Sequence, residues 1–221
     1  MKLTILGSGT AAPVLSRNNS GYLVEINSKK LLFDSGAGTI RRLLELKTDL
    51  FDIDHIFYTH LHNDHINDLG AVIWSNNYGG IRKRPLNLYG PSGFKKYYNI
   101  LLNKLLKLSN LNFKINIKEL KNSIINIEGT IIKTMPTIHS STTKSIVYRI
   151  EQKNKSFVYT GDTDYCDAAA EIARDAGAML IECSFPDNKK AEGHLTPSLA
   201  GKLAAKANVK KLILTHFYPQ V

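Results

Sequence analysis

Three of the seven histidines stand within six consecutive positions, in the stretch YTHLHNDHIND. They are His60, His62 and His65, and Asp64 lies among them. Imidazole rings this close repel one another when protonated, and neither a hydrophobic core nor an ordinary turn needs them. A neutral imidazole nitrogen and a carboxylate oxygen are good ligands for a borderline divalent cation such as zinc. The cluster therefore indicates a metal site.

Further side chains of ligand type follow predicted strands elsewhere in the chain. TMPTIH ends at His139, VYTGD at Asp162 and LILTH at His216, while His194 stands in a loop. Taken alone, each histidine is more often a hydrogen-bonded strand-end residue, and the aspartate more often caps a helix or turn. The cluster at 60–65 favours a metal role for the others as well. Two ions about 3.5–4 Å apart can clamp the attacking and leaving oxygens of a displacement and activate a water between them.

The spacing within the cluster constrains its geometry. His60 and His62 point the same way only in an extended or loop backbone, and Asp64 and His65 come from the start of the following helix. One short loop can thus present two faces, one to each metal. A helical His-Glu-x-x-His box would need histidines four apart on one helix face, which is a different pattern. His55, in DIDHIF, does not stand in a cluster of histidines, and we predict a structural role for it.

Predicted strands and helices alternate in the first and last thirds of the chain, and the middle is rich in strands. The polar clusters follow strands, where open sheets place their ligands. No low-complexity linker or proline-rich hinge interrupts residues 1–221, so we predict a single domain of α/β or α+β class, with sheet layers covered by helices. FKKYYNILLNKLLKL is predicted to be one amphipathic helix. The middle is predicted to hold strands in NFKINIKEL, INIEGTIIKTMPTIH, KSIVYRIE and KSFVYTGD.

Composition narrows the class of protein. The chain is 43% hydrophobic and 22% charged, as soluble globular proteins are. No apolar run reaches the roughly 18 residues that span a bilayer, and MKLTILGSGTAAP is typical of a first strand rather than a signal peptide. The two cysteines, Cys166 and Cys183, favour reduced thiols in a cytoplasmic protein over a disulfide. The net charge of +10 favours polyanionic partners such as RNA or phosphorylated substrates, although solubility alone also explains the lysines.

These residues resemble a known superfamily. THLHNDH matches the His-x-His-x-Asp-His signature of the metallo-β-lactamase superfamily, and the resemblance runs from residue 3 to residue 218. It implies a four-layer αβ/βα sandwich with two metal ions at one edge of the two sheets. The implied ligands are His60, His62 and His139 for the first metal, Asp64, His65 and His216 for the second, and Asp162 as the bridge between them.

Within the superfamily the chain is most similar to the ribonuclease Z branch. The segments that carry this similarity are LGSGTAAPVLSRNNSGYLVE, LLFDSGAGTIRRL, LYGPSGF and MLIECSF with the GHLTP stretch after it. His194 occupies the place of the branch's extra histidine. One departure concerns residues 140–161, which leave room for two strands and a turn but not for the long arm of the enzymes that trim tRNA precursors. Recognition of the tRNA elbow is therefore not expected. A homodimer is expected, because dimers are common among such proteins.

The leading hypothesis is a metal-dependent phosphodiesterase, acting on RNA 3′ ends or on small or cyclic phosphodiesters. Two divalent ions are expected, zinc first, although the same ligands accept manganese or iron. Asp64 would orient the attacking water and take its proton, and His194 would assist the leaving group. Asp34 would either fix the tautomer of a ligand imidazole or serve as a buried structural carboxylate. Asn19 and Ser20 are weaker candidates for contacting substrate.

Three alternatives stay open at this point. The first keeps the metals but hydrolyses a thioester, lactone or β-lactam. The second is a flavodiiron-type redox centre, which usually has a carboxylate where this chain has His62. The third is a non-catalytic RNA-binding module that uses the positive charge, with a vestigial site.

Overall fold

Two six-stranded mixed sheets run through the chain, one in each of two units, Met1–Glu119 and Leu120–Val221. A computed structural model describes all residues, Met1–Val221. The prediction of a single domain over 1–221 stays a prediction. The first sheet contains, in spatial order, β1 (Lys2–Gly7), β2 (Gly21–Ile26), β3 (Lys29–Ser35), β4 (Ile53–Phe57), β5 (Leu86–Pro91) and β6 (Ile115–Leu120). The second contains β12 (Leu212–Thr215), β11 (Ala178–Glu182), β10 (Lys155–Tyr159), β9 (Ser145–Gln152), β8 (Thr130–Thr137) and β7 (Ser123–Ile127).

Helices connect the strands that run parallel. The first unit contains α1 (Thr39–Glu45), α2 (Asn63–Ile66), α3 (Leu69–Tyr78) and α4 (Phe94–Ile100), with a 3₁₀ turn at Leu50–Asp52. The second contains α5 (Asp167–Ile172) and α6 (Pro197–Lys206), with a 3₁₀ turn at Asp187–Lys189. No helix has both the length and the apolar character needed to cross a membrane.

The strand directions of the first sheet bring two chain segments together at one edge. Strands β1, β2 and β3 pair antiparallel, and β4 then adds in parallel to β3, with Leu31 opposite His55. Because parallel neighbours end at the same edge, Asp34, the second-last residue of β3, lies beside Thr59 in the chain that leaves β4. The buried apolar residues of β4, such as Ile56, join a core with helix residues such as Leu69.

The second sheet repeats this arrangement. Strands β7 to β10 pair antiparallel in succession, and β11 and β12 add in parallel to β10. Strand β8 therefore runs in the same direction as the last three strands, and all four end at one edge. Glu182 is the last residue of β11, and the segments that follow the other three strands carry His139, Asp162 and His216. Two alanine-rich helices, α5 and α6, cover this sheet with a shared apolar core.

Two predicted elements differ in the structure. INIEGTIIKTMPTIH forms a hairpin of β7 and β8 rather than one strand, because Glu128 and Gly129 both have a positive φ and make a tight turn. The predicted helix at residues 94–108 is α-helical only to Ile100 and then widens into a π-helical turn, Leu101–Leu106. Residues five apart share a face in such a turn, so Leu101 and Leu106 both reach the core.

Candidate metal centre

The histidine cluster lies in the loop that follows β4 and in the short helix α2. His60 and His65 are fully buried, and His62 is half-buried. The ring centroid of His60 lies 4.7 Å from that of His62 and 4.1 Å from that of His65. Three imidazoles held this closely in a buried loop could not all be protonated, so the structure favours neutral rings with lone pairs available to a cation.

Asp34 fixes the tautomers of two of these rings. It is fully buried, and its backbone has a positive φ of 55°. Its Oδ1 accepts the Thr59 backbone N–H at 2.8 Å, and its Oδ2 accepts the Thr59 hydroxyl at 2.8 Å and His65 Nδ1–H at 2.7 Å. Since the Thr59 proton is given to Asp34, the same hydroxyl accepts from His60 Nδ1 at 3.1 Å. Both histidines thus carry the proton on Nδ1 and keep the lone pair of Nε2 for a metal.

Asp64 adds a carboxylate to the same loop. It is 6% exposed, and its Oδ2 lies 3.8 Å from His65 Nε2. That separation is too long for a hydrogen bond, but it suits two ligands of one ion, since zinc ligands bind at about 2.0–2.2 Å. The chemistry of this donor set, three imidazoles and a carboxylate, fits a divalent cation.

In the second unit, three histidines surround one aspartate. Asp162 is 2% exposed, and its Oδ2 lies 3.3 Å from His216 Nε2 and 3.8 Å from His139 Nε2. His194 Nδ1 is 4.0 Å from the same oxygen. The ligand atoms of His139, Asp162 and His194 all lie within 4.8 Å of one another. Imidazole nitrogens and a carboxylate oxygen gathered this closely are a donor set that also fits a divalent cation.

The tautomers of two of these histidines are fixed in the same way as those of the first unit. His139 Nδ1 donates to the Gly193 carbonyl at 2.9 Å, which leaves Nε2 as the lone-pair nitrogen. His216 has a positive φ of 58°, and its Nδ1 lies 2.9 Å from the Ser184 hydroxyl. Because that hydroxyl donates to Glu182 at 2.6 Å, it accepts from His216, whose Nε2 faces Asp162. A strained left-handed histidine at this point is typical of a functional site.

Glu182 is a functional residue that the sequence reasoning missed. It is fully buried, and its Oε1 accepts the Thr163 N–H at 2.9 Å and His194 Nδ1–H at 3.0 Å. Its Oε2 accepts the Ser184 hydroxyl and the Leu195 N–H. The carboxylate orients His194 and stabilises positive charge on its ring. The available signal was an acid at the end of the apolar strand AMLIE, since buried carboxylates are rare unless paired.

Two neighbouring groups have shifted pKa values. Burial, with the Glu182 charge beside it, raises the pKa of the Cys183 thiol to about 11. Burial also acts to raise the pKa of Asp164, but hydrogen bonds from Lys190 and from the backbone, including Gly193 N–H, hold it below its usual value. Cys183 is therefore a protonated, inert thiol, and Asp164 is an ionised acceptor.

The remaining candidates serve the framework. His55 lies in the middle of β4. Its Nδ1 is 3.2 Å from the Tyr89 hydroxyl and its ring stacks on Phe57 and Tyr89, in keeping with a structural role. Ser20 is fully buried, with its hydroxyl 3.5 Å from the Gly9 carbonyl, and the Asn19 amide donates to the Thr10 carbonyl. These two polar side chains therefore hold the N-terminal glycine loop.

Comparison with known proteins adds the family context. A model of the family described as Anti-Pycsar protein Apyc1 matches residues 1–221. The Ribonuclease Z of Methanosarcina acetivorans is 27% identical over 270 residues, which cover 98% of this chain and 87% of that protein. The structure of human tRNase Z, short form (ELAC1), has a TM-score of 0.85 and 25% identity, covering 98% of this chain and 93% of its own.

A bacterial structure extends the fold comparison. The metallo-beta-lactamase fold protein YhfI from Bacillus subtilis has a TM-score of 0.84 and 24% identity, covering 97% of this chain and 85% of its own. Together the similarities confirm the predicted ribonuclease Z-like metallo-β-lactamase fold of α/β class. They also confirm the predicted reaction class, that of a hydrolytic, metal-dependent phosphodiesterase.

Proposed function

This chain belongs to the Anti-Pycsar protein Apyc1 family, and we propose that it hydrolyses small or cyclic phosphodiesters with two bound divalent metal ions. The phosphodiesterase chemistry follows from the ribonuclease Z similarity. The choice of a small ester depends on one observation, which is the short segment between His139 and Asp162.

That segment is a plain hairpin. Five residues connect His139 to β9. A turn at Lys153 joins β9 to β10, and Asp162 follows shortly after the end of β10. The alignment with the Methanosarcina ribonuclease Z spans 270 positions although this chain has 221 residues, so the relative carries insertions that this chain lacks. A chain without an arm has less surface with which to bind a folded RNA. A small ester does not need an arm for binding.

We propose that seven side chains hold the metal pair: His60, His62, Asp64, His65, His139, Asp162 and His216. The support is chemical. A catalytic zinc ion takes three protein ligands and keeps an open position, so two ions need about six ligands, more than the first unit's cluster supplies. When bound, such a pair acts as a Lewis acid on the phosphoryl oxygens and lowers the pKa of water.

The chain's own groups handle the protons. Asp64, a buried carboxylate, orients the attacking water and accepts its proton. His194, with Nδ1 bound to Glu182 at 3.0 Å, presents Nε2 to the leaving oxygen and donates a proton to it. Glu182 keeps the ring oriented and charged before transfer, because its four accepted hydrogen bonds hold the carboxylate in place.

An aromatic pair next to His194 suits the organic part of a small ester. The rings of Phe185 and Tyr218 are half-buried and stack with centroids 4.5 Å apart. Phe185 lies edge-on to His194 at 5.7 Å, and Tyr218 lies edge-on to it at 6.1 Å. Their remaining exposed surface offers an apolar contact for a flat substituent of the leaving or retained group.

Three further properties complete the proposal. Zinc is the favoured metal, because imidazole and carboxylate ligands suit it, with manganese or iron as substitutes. The protein works in the cytoplasm, which its two free, buried cysteines favour. It acts as a homodimer, to be checked by light scattering of the purified chain. Metal analysis after expression in minimal medium with equal zinc, manganese and iron tests the first property.

The test of function compares substrates on protein of known metal content. The panel contains bis(p-nitrophenyl) phosphate, 3′,5′-cyclic and 2′,3′-cyclic nucleotides, a lactone and a tRNA precursor with a 3′ trailer. We expect hydrolysis of the small diesters, abolished by chelation and restored by metal. Cleavage of the lactone without any diester would support the thioester or lactone alternative instead.

A second candidate is RNA 3′ processing. The names of the curated relatives and the net charge of +10 favour it. Preferential cleavage of the tRNA precursor in the same assay would establish it. RNA binding unaffected by Asp64→Ala, with no hydrolysis of any ester, would point to the non-catalytic module.

A further inference from the structure

The loop before His194 is held in place by Asp164, a residue outside the proposed ligand set. Asp164 Oδ2 accepts the Gly193 N–H at 2.9 Å and the Lys190 ammonium at 2.8 Å, and its Oδ1 accepts the Tyr165 N–H at 2.7 Å. Asp164 N–H in turn donates to the Ile138 carbonyl at 2.5 Å. One aspartate thus ties together the loop after β10, the loop before His194 and the end of β8.

These contacts form a ring that passes through Gly193, whose N–H and carbonyl belong to two successive peptides. Ile138 binds Asp164, Asp164 binds Gly193 N–H, and the Gly193 carbonyl accepts from His139 Nδ1 at 2.9 Å. Gly193 has a φ of +78°, and a Cβ on it would lie 2.0 Å from the His139 carbonyl oxygen. Only glycine permits both the backbone conformation and this close approach.

Two candidate functional side chains depend on the next peptide, which is joined at the Gly193 Cα to the peptide that Asp164 anchors. The carbonyl that accepts from His139 belongs to the peptide bond that joins Gly193 to His194. Rotation of this peptide plane would therefore release His139 Nδ1 and swing the backbone of His194 at the same time. The two rings already contact each other, with centroids 5.0 Å apart and planes at 70°.

We propose that Asp164 is a positioning residue. It holds the N–H of Gly193, so it fixes the backbone of this glycine and thereby sets the orientation of both His139 and His194. The inference rests on the proposed function, in which His139 is a metal ligand and His194 a proton donor. Lys190 is the minor partner, because its ammonium is partly exposed and exposed ion pairs contribute little.

The variants separate the anchoring of the peptide from general stability. Asp164→Ala removes the three side-chain contacts and keeps the backbone bond to Ile138. Asp164→Ser, which is too short to reach Gly193, serves where the alanine variant does not fold. Asp164→Asn keeps an oxygen that can accept the Gly193 N–H and should rescue the effect. Asp167→Ala is the matched control, because it removes an exposed aspartate–lysine pair (2.6 Å, to Lys206) in the same unit.

The first measurement uses metal-free protein and does not depend on activity. Long-range ¹H–¹⁵N spectra of the imidazoles report which ring nitrogen carries the proton. The native chain should show His139 with its proton on Nδ1, and Asp164→Ala should show a mixture of tautomers. An unchanged His139 tautomer in Asp164→Ala would overturn the proposal. This readout stands even if the native chain cleaves no diester, a result that would reject the proposed function alone.

The second measurement uses zinc-saturated protein and two diesters that differ in leaving group. Bis(p-nitrophenyl) phosphate releases a phenolate that needs no proton, whereas an alkyl diester or cyclic nucleotide releases an alkoxide that does. Asp164→Ala should lower kcat on the poor leaving group by about 10²-fold and on the good one by only about threefold, since general acid catalysis contributes about 10²–10⁴-fold. Equal losses on both esters, or no loss, contradict the inference.

Discussion

The substitution Asp34→Asn should separate metal binding from folding. In the native chain Asp34 Oδ1 accepts the Thr59 N–H, and Oδ2 accepts both the Thr59 hydroxyl and His65 Nδ1–H. An asparagine of the same shape keeps Oδ1 for the Thr59 N–H. Its Nδ2 donates to the Thr59 oxygen and to His65 Nδ1, which then becomes an acceptor. The Thr59 hydroxyl then donates to His60 Nδ1, which also becomes an acceptor, so every group is satisfied and the variant should fold.

The cost appears when a metal binds. In the variant His65 carries its proton on Nε2, the nitrogen that the native tautomer keeps for the ion. Binding forces the proton back to Nδ1, where it faces the asparagine N–H, and one buried donor loses its partner. Such an unsatisfied group costs about 1–3 kcal/mol, so the affinity should fall by roughly 10- to 100-fold. Loss of a partner that orients a metal ligand has effects of this size.

Competition for zinc with a chromophoric chelator measures this loss directly. Asp54→Asn is the matched control, since Asp54 is also a carboxylate of the first unit, paired with Arg82 at 2.7 Å at the opposite end of β4. That variant should lose some stability to urea but keep its zinc affinity. Native zinc affinity in Asp34→Asn, with the variant folded, would refute the assignment of His65 Nε2 as a metal-binding atom.

Three other variants or treatments follow from the same contacts. Gly193→Ala should lower the stability to urea by about 1–3 kcal/mol and weaken zinc binding, because the new Cβ meets the His139 carbonyl; a native urea midpoint would contradict this. Native protein at pH 8 should not react with iodoacetamide at Cys183, because a pKa of about 11 keeps this thiol protonated. Unfolded protein should react, and mass spectrometry of the alkylated protein distinguishes the two outcomes. Phe185→Ala should raise KM for a cyclic nucleotide more than it lowers kcat, and an unchanged KM would remove the aromatic pair from substrate binding.

Local sequence signals predicted much of the framework that carries the site. Apolar β-branched runs marked β4 and β12, which end three residues before His60 and one residue before His216 respectively. The histidine spacing predicted a loop followed by a helix start, and α2 begins at Asn63 as that spacing requires. The ligand types could be identified because few other roles account for three histidines in six positions.

What stayed hidden depends on contacts between distant segments. Glu182 resembles an ordinary strand residue in the sequence. The parallel pairing of β11 and β12 places it opposite Thr215, next to His216, and the loop before α6 brings His194 to its carboxylate. The sequence also could not decide whether Asp34 fixes the tautomer of a ligand imidazole or is a buried structural carboxylate, because its partner, His65, lies 31 positions away. Sequence spacing carries no information on which strand ends lie side by side.

The irregular turns were missed for a different reason. The turn before β8 is formed by Glu128 and Gly129, and a positive φ such as that of Glu128 is uncommon for glutamate. In the sequence, only the glycine indicated a turn at this point. The π-helical turn after Ile100 arises because leucines five apart both reach the core, a tertiary requirement that a repeat of three and four does not reveal.

The metal count of the zinc-saturated chain tests the central claim most directly. Native mass spectrometry of the intact protein, after removal of loosely bound ions, gives the number of zinc ions per chain. The proposed seven-ligand arrangement predicts two ions on each native chain. A native, folded chain that retains one ion or none would contradict it.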